Sequence, residues 1–331
     1  MMNLRTEVIL PKINRQLSYR KNAMMMGSCF TENIGKYLKD HYFPILTNPC
    51  GILYNPASLA NCTEFLISGK QLTATDLFYA NGLWNSFLFH SRFSHPDQHT
   101  ALTGMNESLA NASLQLRSAS HLFLTFGTSW IYREKEQNTI VGNCHKLPAS
   151  RFLRERLSVD EMTAQWIYVL NRLFAIQPDL DVVLTVSPIR HFKDGSFENQ
   201  ISKSGLFLMI DRLQVYFGKG KISYFPSYEI VMDELRDYRF YAQDMLHLSE
   251  VAIEFVQEKF NEVFMEKESR EICFTVDKIV KSLAHKPFHN ENSDYLDLLS
   301  RLEGEVSILA SKHPGIDLQD LIIDIVQKRG V

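Results

Sequence analysis

Three short apolar runs constrain this chain of 331 residues more than any other feature, Ala23–Met26, His121–Phe126 and Val182–Val186, with a last short strand expected at Ile222–Phe225. Continuous apolarity over four to six residues suits a strand buried on both faces. The intervals between the runs hold segments of ten or more residues whose apolar positions recur at helical spacing. Strands of this kind alternating with helices specify a parallel sheet covered on both sides, a three-layer α/β/α architecture.

The strand ends carry the chemistry. Ala23–Met26 stops at Gly27-Ser28-Cys29-Phe30, and Ile34, Tyr37, Leu38 and Tyr42 then mark a helix over Thr31–Tyr42. A hydroxyl and a thiol therefore stand between a strand and a helix N-terminus, where unpaired N–H groups favour negative charge and depress a thiol pKa. The same spacing also suits a plain turn with small residues for close packing. Asn48-Pro49-Cys50-Gly51 and Tyr54-Asn55-Pro56 form an ordered loop, with Pro56 at the start of a helix over Ala57–Ile67. His121–Phe126 follows a helix over Glu107–Ala119 and stops at Gly127-Thr128-Ser129-Trp130. Val182–Val186 stops at Ser187-Pro188-Ile189-Arg190-His191. Ligands of open α/β sheets bind at such carboxyl ends.

The remaining segments follow from local signals. An edge strand is expected at Glu7–Leu10, and an aromatic insertion over residues 70–105. Ser158-Val159-Asp160-Glu161 is a capping box for a helix to Ile176. A polar segment over Phe192–Ser202 precedes a helix over Ser204–Phe217, and Asp244-Met245-Leu246-His247 leads into a helix ending near Met265. After Lys267 the pattern gives a short strand at Ile272–Val276 and helices at Ser293–Ser311 and Leu318–Lys328. The expected division is an α/β domain over 1–266 and a mostly helical C-terminal extension over 267–331, for which a dimerisation role is one reading.

Charge and composition exclude several classes. A net charge of −3 gives no electrostatic case for nucleic acid or an anionic membrane. No apolar run approaches a transmembrane span, and residues 1–22 lack a signal-peptide core, so cytoplasm is the expected compartment. The five cysteines are scattered without paired spacing, which argues against a disulfide framework. His90, His95 and His99 fit no zinc spacing, and Pro96 interrupts any helix that would align them. No metal or cofactor is expected. Oligomeric state is not legible.

Taken together, Gly27-Ser28-Cys29-Phe30, the Asn48–Gly51 and Tyr54–Pro56 loop, Gly127-Thr128-Ser129-Trp130 and Ser187–His191 resemble the GSCFA-domain family over roughly residues 20–260. Thr31 stands where that family's namesake motif has alanine. The family in turn resembles the SGNH (GDSL-like) hydrolases, which implies a flavodoxin-like parallel sheet and hydrolysis or transfer of acyl esters. Laid on that pattern, Gly27-Ser28-Cys29 takes the first block, Gly51 the second, Gly127–Trp130 the third and Asp244–His247 the last.

The resemblance implies Cys29 as nucleophile, with Ser28 as the alternative, His247 as base and Asp244 as its orienting partner. The Cys29 N–H, the Gly51 N–H and the Ser129 hydroxyl are the implied oxyanion donors. Ser129 replaces the asparagine of the hydrolase pattern, and Trp130 replaces its aspartate. Asn48, Tyr54, Asn55, Trp130, Arg190 and His191 are the expected substrate-binding residues. Arg190 and His191 suit either a substrate carboxylate or phosphate, or a structural network. The expected substrate is a small-molecule or carbohydrate acyl ester. The alternative is a non-catalytic glycan- or metabolite-binding domain on the same fold, favoured by the missing asparagine and the altered first block.

Overall fold

The computed structural model describes residues 6–284 and 293–329. Strand β1 (Ala23–Gly27) is buried throughout and leads through Ser28 into α1 (Cys29–Asp40). β2 (Ile45–Thr47), α2 (Pro56–Ser68) and a hairpin of β3 (Phe78–Ala80) and β4 (Leu83–Asn85) precede α3 (Gln98–Ser118). β5 (His121–Phe126) is followed by an antiparallel sheet of β6 (Trp130–Glu134), β7 (Thr139–Val141) and β8 (Phe152–Arg156). α4 (Val159–Ile176), β9 (Asp181–Val186), α5 (Gly195–Phe217) and β10 (Ile222–Tyr224) complete the sheet-forming part. One-turn α6 (Ser227–Glu229) then leads to α7 (Glu250–Phe264), α8 (Lys267–Ala284), α9 (Ser293–Lys312) and α10 (Gln319–Arg329).

The central sheet has five parallel strands in the order β2-β1-β5-β9-β10. Counting only these strands along the chain, the order is 2-1-3-4-5, the flavodoxin order. The winding reverses between β1 and β5, and a crevice opens at their carboxyl ends. Period-two alternation decides the packing. Met24, Met26, Leu122, Leu124, Val182 and Leu184 face α2, α3, α4 and α5, whereas Met25, Phe123 and Val183 face α1, α7 and the C-terminal helices. The three-layer α/β/α fold follows.

Several local expectations give way to tertiary context. Residues 6–13 are irregular rather than an edge strand, and the isolated bridge of Leu17 with Met265 lies beyond them. Ile272–Val276 lies inside α8, not in a strand. Its β-branched residues suggest extension, but Ile272, Cys273, Val276, Ile279 and Leu283 make one buried stripe at helical spacing. That stripe packs on α1, where Tyr37 Oη lies 3.3 Å from Cys273 Sγ and His41 Nε2 lies 3.2 Å from Asp277 Oδ1. α3 begins nine residues before the expected Glu107, because Asp97 caps it by accepting from Thr100 N. α5 begins at Gly195, inside the polar segment expected to precede it. No helix among the described residues is long and apolar enough to cross a membrane.

Candidate active site

The turn after β1 is set by close contact with β5. A Cβ on Gly27 would lie 2.4 Å from the Thr125 carbonyl oxygen, and φ there is +146°, so a residue without a side chain is required. Gly27 N donates to Asn48 Oδ1 at 2.8 Å, and Leu53 N donates to Gly27 O at 3.1 Å, which ties the turn to the following loop. Thr31 Oγ1 donates to Thr125 Oγ1 at 2.8 Å, so the residue replacing alanine adds a buried tie between α1 and β5.

Ser28 is the N-cap of α1, and Cys29 is its first residue. Ser28 is buried and its Oγ has no hydrogen-bond partner. Cys29 is half-buried and lines two cavities. Burial pushes its thiol pKa up. The backbone N–H groups of Phe30 and Cys29 and the charge of Lys203 oppose that shift without cancelling it. The helix start therefore softens a desolvation penalty, and the net direction is the reverse of a depressed thiol.

His247 lines the same two cavities. Its Nδ1 lies 2.6 Å from Asp244 Oδ2, while Asp244 Oδ1 accepts from the N–H groups of Leu246 and His247, both at 2.9 Å. One carboxylate thus closes the turn and orients the ring. The bond from His247, then those two backbone donors, hold Asp244 down to about 2, so it is ionised at neutral pH.

The larger cavity, about 610 Å³, gathers residues from seven chain segments. Tyr54 and Asn55 come from the loop before α2, Trp130 from β6, and Arg190 and His191 from the loop after β9. The Tyr54 carbonyl accepts from Gly127 N at 2.7 Å and Thr128 N at 3.1 Å, which stitches the second and third sequence blocks together. Asn55 Oδ1 caps α2 by accepting from Ser58 N, leaving its amide N–H groups for the cavity. Trp130 packs beneath the Arg154 guanidinium, 4.5 Å from the ring centroid, and its indole Nε1 is buried without a partner. His191 is pushed down to about 4 by burial first, then by the charges of Lys203, His247 and Arg154. It is neutral at working pH and able to donate.

Besides Ser28 and Asp244, three expected residues do not line this cavity. Asn48 is fully buried, with its side chain engaged by Gly27 N and Glu32. Gly51 N donates to the Asn48 carbonyl at 2.8 Å, inside the turn, and a Cβ on Gly51 would strike His90. Ser129 is buried, and both its N–H and its hydroxyl donate to Ser202 Oγ, at 2.8 and 3.0 Å.

One residue near Cys29 escapes a sequence reading. Lys203 is fully buried on α5, its Nζ donates to the Ser187 carbonyl at 2.6 Å, and burial lowers its pKa to about 7. Asn199, Ser202, Lys203, Leu206, Ile210 and Leu213 form one buried stripe on α5. That spacing, followed upstream from Leu206, is the signal that puts a lysine on an inward face. Arg154 and Lys193 also line the cavity from segments to which no role was assigned.

The GSCFA family profile matches residues 22–260, and the profile described as GSCFA domain protein, C-terminal domain, matches residues 276–329. No protein of curated function matches the chain in sequence. Among solved structures, a carbohydrate esterase family 3 protein from Talaromyces cellulolyticus is similar at 7% identity and TM-score 0.37, over 76% of this chain and 98% of that one. A putative acylhydrolase from Bacteroides fragilis is similar at 14% identity and TM-score 0.36, over 81% and 92%. An acetyl xylan esterase from Butyrivibrio proteoclasticus is similar at 12% identity and TM-score 0.31, over 65% and 56%.

Proposed function

The chain belongs to the GSCFA family, and from that premise we propose that it cleaves or transfers acyl esters through a thioester on Cys29. The observation that carries this reading is that Cys29 and His247, the latter bonded to Asp244, line the same two cavities. In the first step His247 Nε2 takes the thiol proton as Cys29 Sγ bonds to the ester carbonyl carbon. The carbonyl oxygen gains charge, and the Cys29 N–H, neutral His191 and the free Asn55 amide are the donors best placed to receive it. The intermediate collapses as the carbon–oxygen bond to the alcohol breaks and His247 returns the proton to the departing oxygen. Water or an acceptor hydroxyl then repeats the sequence on the thioester, releasing acid or a new ester and restoring the thiol.

The alcohol side of the substrate is polar in this reading. Arg154 makes a two-point ion pair with Asp194, but among the described residues no carboxylate lies within 4 Å of Arg190 or Lys193. Together with Trp130, Tyr54 and Tyr132, these cations suit a hydroxylated alcohol such as a carbohydrate, or one bearing a carboxylate or phosphate. Arg190→Ala is expected to raise KM for an ester of an anionic alcohol by roughly three- to tenfold, since Arg190 is exposed and its charge is screened. Steady-state kinetics against a neutral ester of the same acyl group checks this. An equal rise for both esters would remove the charge contact.

The reaction class is tested by intact-mass measurement and peptide mapping after brief exposure to an activated acyl ester. A His247-dependent adduct on Cys29 is expected, and the same adduct on Ser28 would move the nucleophile. One observation favours the alternative of a binding domain without chemistry: the donors expected at Gly51 and Ser129 are engaged by Asn48 and Ser202. Absence of any site-selective adduct with several donors would favour it.

A further inference from the structure

Cys29 and His247 separate two cavities of opposite character. The larger is open, aromatic and cationic. The smaller, about 260 Å³, lies between α1, the loop after β9 and α7. Its walls are Phe30 and Ile34, Pro188 and Ile189, and Ile253 and Val256, with Leu248 beside His247. Apart from the Cys29–His247 pair itself, its polar lining residue is Asn33, which is exposed at the rim. Cys29, Ile189 and His247 are common to both cavities, so a carbonyl carbon at Cys29 has a side facing each.

The two halves of an ester are not equivalent in a two-step reaction. The alcohol leaves after the first step and the acceptor enters before the second, so this half needs the open cavity and a path to solvent. The acyl group stays bonded to the nucleophile throughout and needs only a place to rest. A chamber more than ten times larger than the roughly 10–15 Å³ that admits one water exceeds the needs of an acetyl group. An apolar wall offers nothing to hydroxyls, whereas each methylene removed from water against it adds to binding.

We propose that the chamber between α1 and α7 is the acyl subsite, and that it takes a linear aliphatic acyl chain of intermediate length, about four to ten carbons. The assignment rests on the acyl-ester reading of Cys29 and deepens it by naming the acyl class.

Binding and turnover separate the two. In Cys29→Ala protein, titration calorimetry compares acetate, butyrate, octanoate and hexadecanoate, the acid products such a site would release. Octanoate is expected to bind at least tenfold more tightly than acetate. Asn33→Trp and Ile253→Trp, which add bulk from different helices, are each expected to remove most of that gain. Asn33 is exposed, so its variant keeps the test independent of core packing. In protein retaining Cys29, the ratio of kcat/KM for octanoyl to acetyl p-nitrophenyl esters is expected to fall tenfold or more in both variants. Equal binding of acetate and octanoate, a gain that survives both tryptophans, or tightest binding of hexadecanoate would overturn the assignment. Octanoate binding that is lost in both variants, without cleavage of any ester, would support the chamber while removing the thiol chemistry.

Discussion

His247→Ala is expected to lower kcat/KM toward an activated ester by roughly 10²–10⁴-fold, the range for loss of a positioned general base. The expectation is strong here because of Cys29. Its thiol pKa is raised by burial, so at neutral pH little thiolate forms without a base. The variant should therefore recover with pH. Its acylation rate should climb roughly tenfold per unit while Cys29 remains largely protonated, whereas the parent profile is flatter. Stopped-flow acylation across the pH range checks both the size and the slope. Cys29→Ala should abolish the adduct altogether, and Ser28→Ala should leave it on Cys29, since the Ser28 hydroxyl is buried away from both cavities. Equal rates for the parent and His247→Ala at neutral pH would remove His247 from the reaction.

Much of the frame was legible because one force dominates it. A strand buried on both faces must be apolar at successive positions, and β1, β5 and β9 announce themselves that way. The small residues that end β1 and β5 likewise point to the crevice where the winding reverses. The antiparallel sheet from Trp130 to Arg156 was not legible. Its strands are three to five residues long and half-exposed, and they pair with each other rather than with the core sheet. Sequence periodicity cannot distinguish such strands from an irregular insertion. Yet this sheet supplies Trp130, Tyr132 and Arg154 to the larger cavity.

Within the site, motif positions were easier to locate than the bonds their atoms make. Tyr54, Asn55, Trp130, Arg190 and His191 come from two loops and a strand and line one cavity with Cys29 and His247. Gly51 and Ser129 sit at their expected places in the chain, but the Gly51 N–H and the Ser129 hydroxyl are already given to neighbouring oxygens. Hydrogen-bond satisfaction in a turn is a tertiary matter, decided here by Asn48 from the same loop and by Ser202 from α5. The direction of the Cys29 shift is a similar case. The helix start was visible in sequence, but the burial that outweighs it depends on what packs above the turn.

Lys203→Met is expected to reverse the sign of its stability effect with pH. Lys203 is fully buried and its folded-state pKa lies near 7, below the 10.5 of an exposed lysine. Between those values the unfolded chain holds more protons than the folded one, so the lysine's contribution to stability rises with pH across that window. Below about pH 7 the cost of burying the ammonium is present in full, and near pH 10.5 it is gone. Methionine fills a similar volume without that cost, but it leaves the Ser187 carbonyl without its 2.6 Å donor, a loss of about 1–3 kcal/mol. The variant should therefore be the more stable protein near pH 6 and the less stable one near the alkaline end. The parent should gain on it by on the order of 3 kcal/mol between about pH 6 and about pH 9.5. Urea midpoints of both proteins at three pH values test this, since titrations common to both cancel. A difference independent of pH would mean that Lys203 keeps an ordinary affinity for protons. Activity should move against stability near neutral pH. Lys203 opposes the burial penalty on the Cys29 thiol only while it carries its own proton, so its loss should lower kcat/KM most at and below about pH 7, where the fold is strengthened. A buried lysine that costs the fold stability and favours the thiolate would account for an ionisable group at a core position that a methionine would fill.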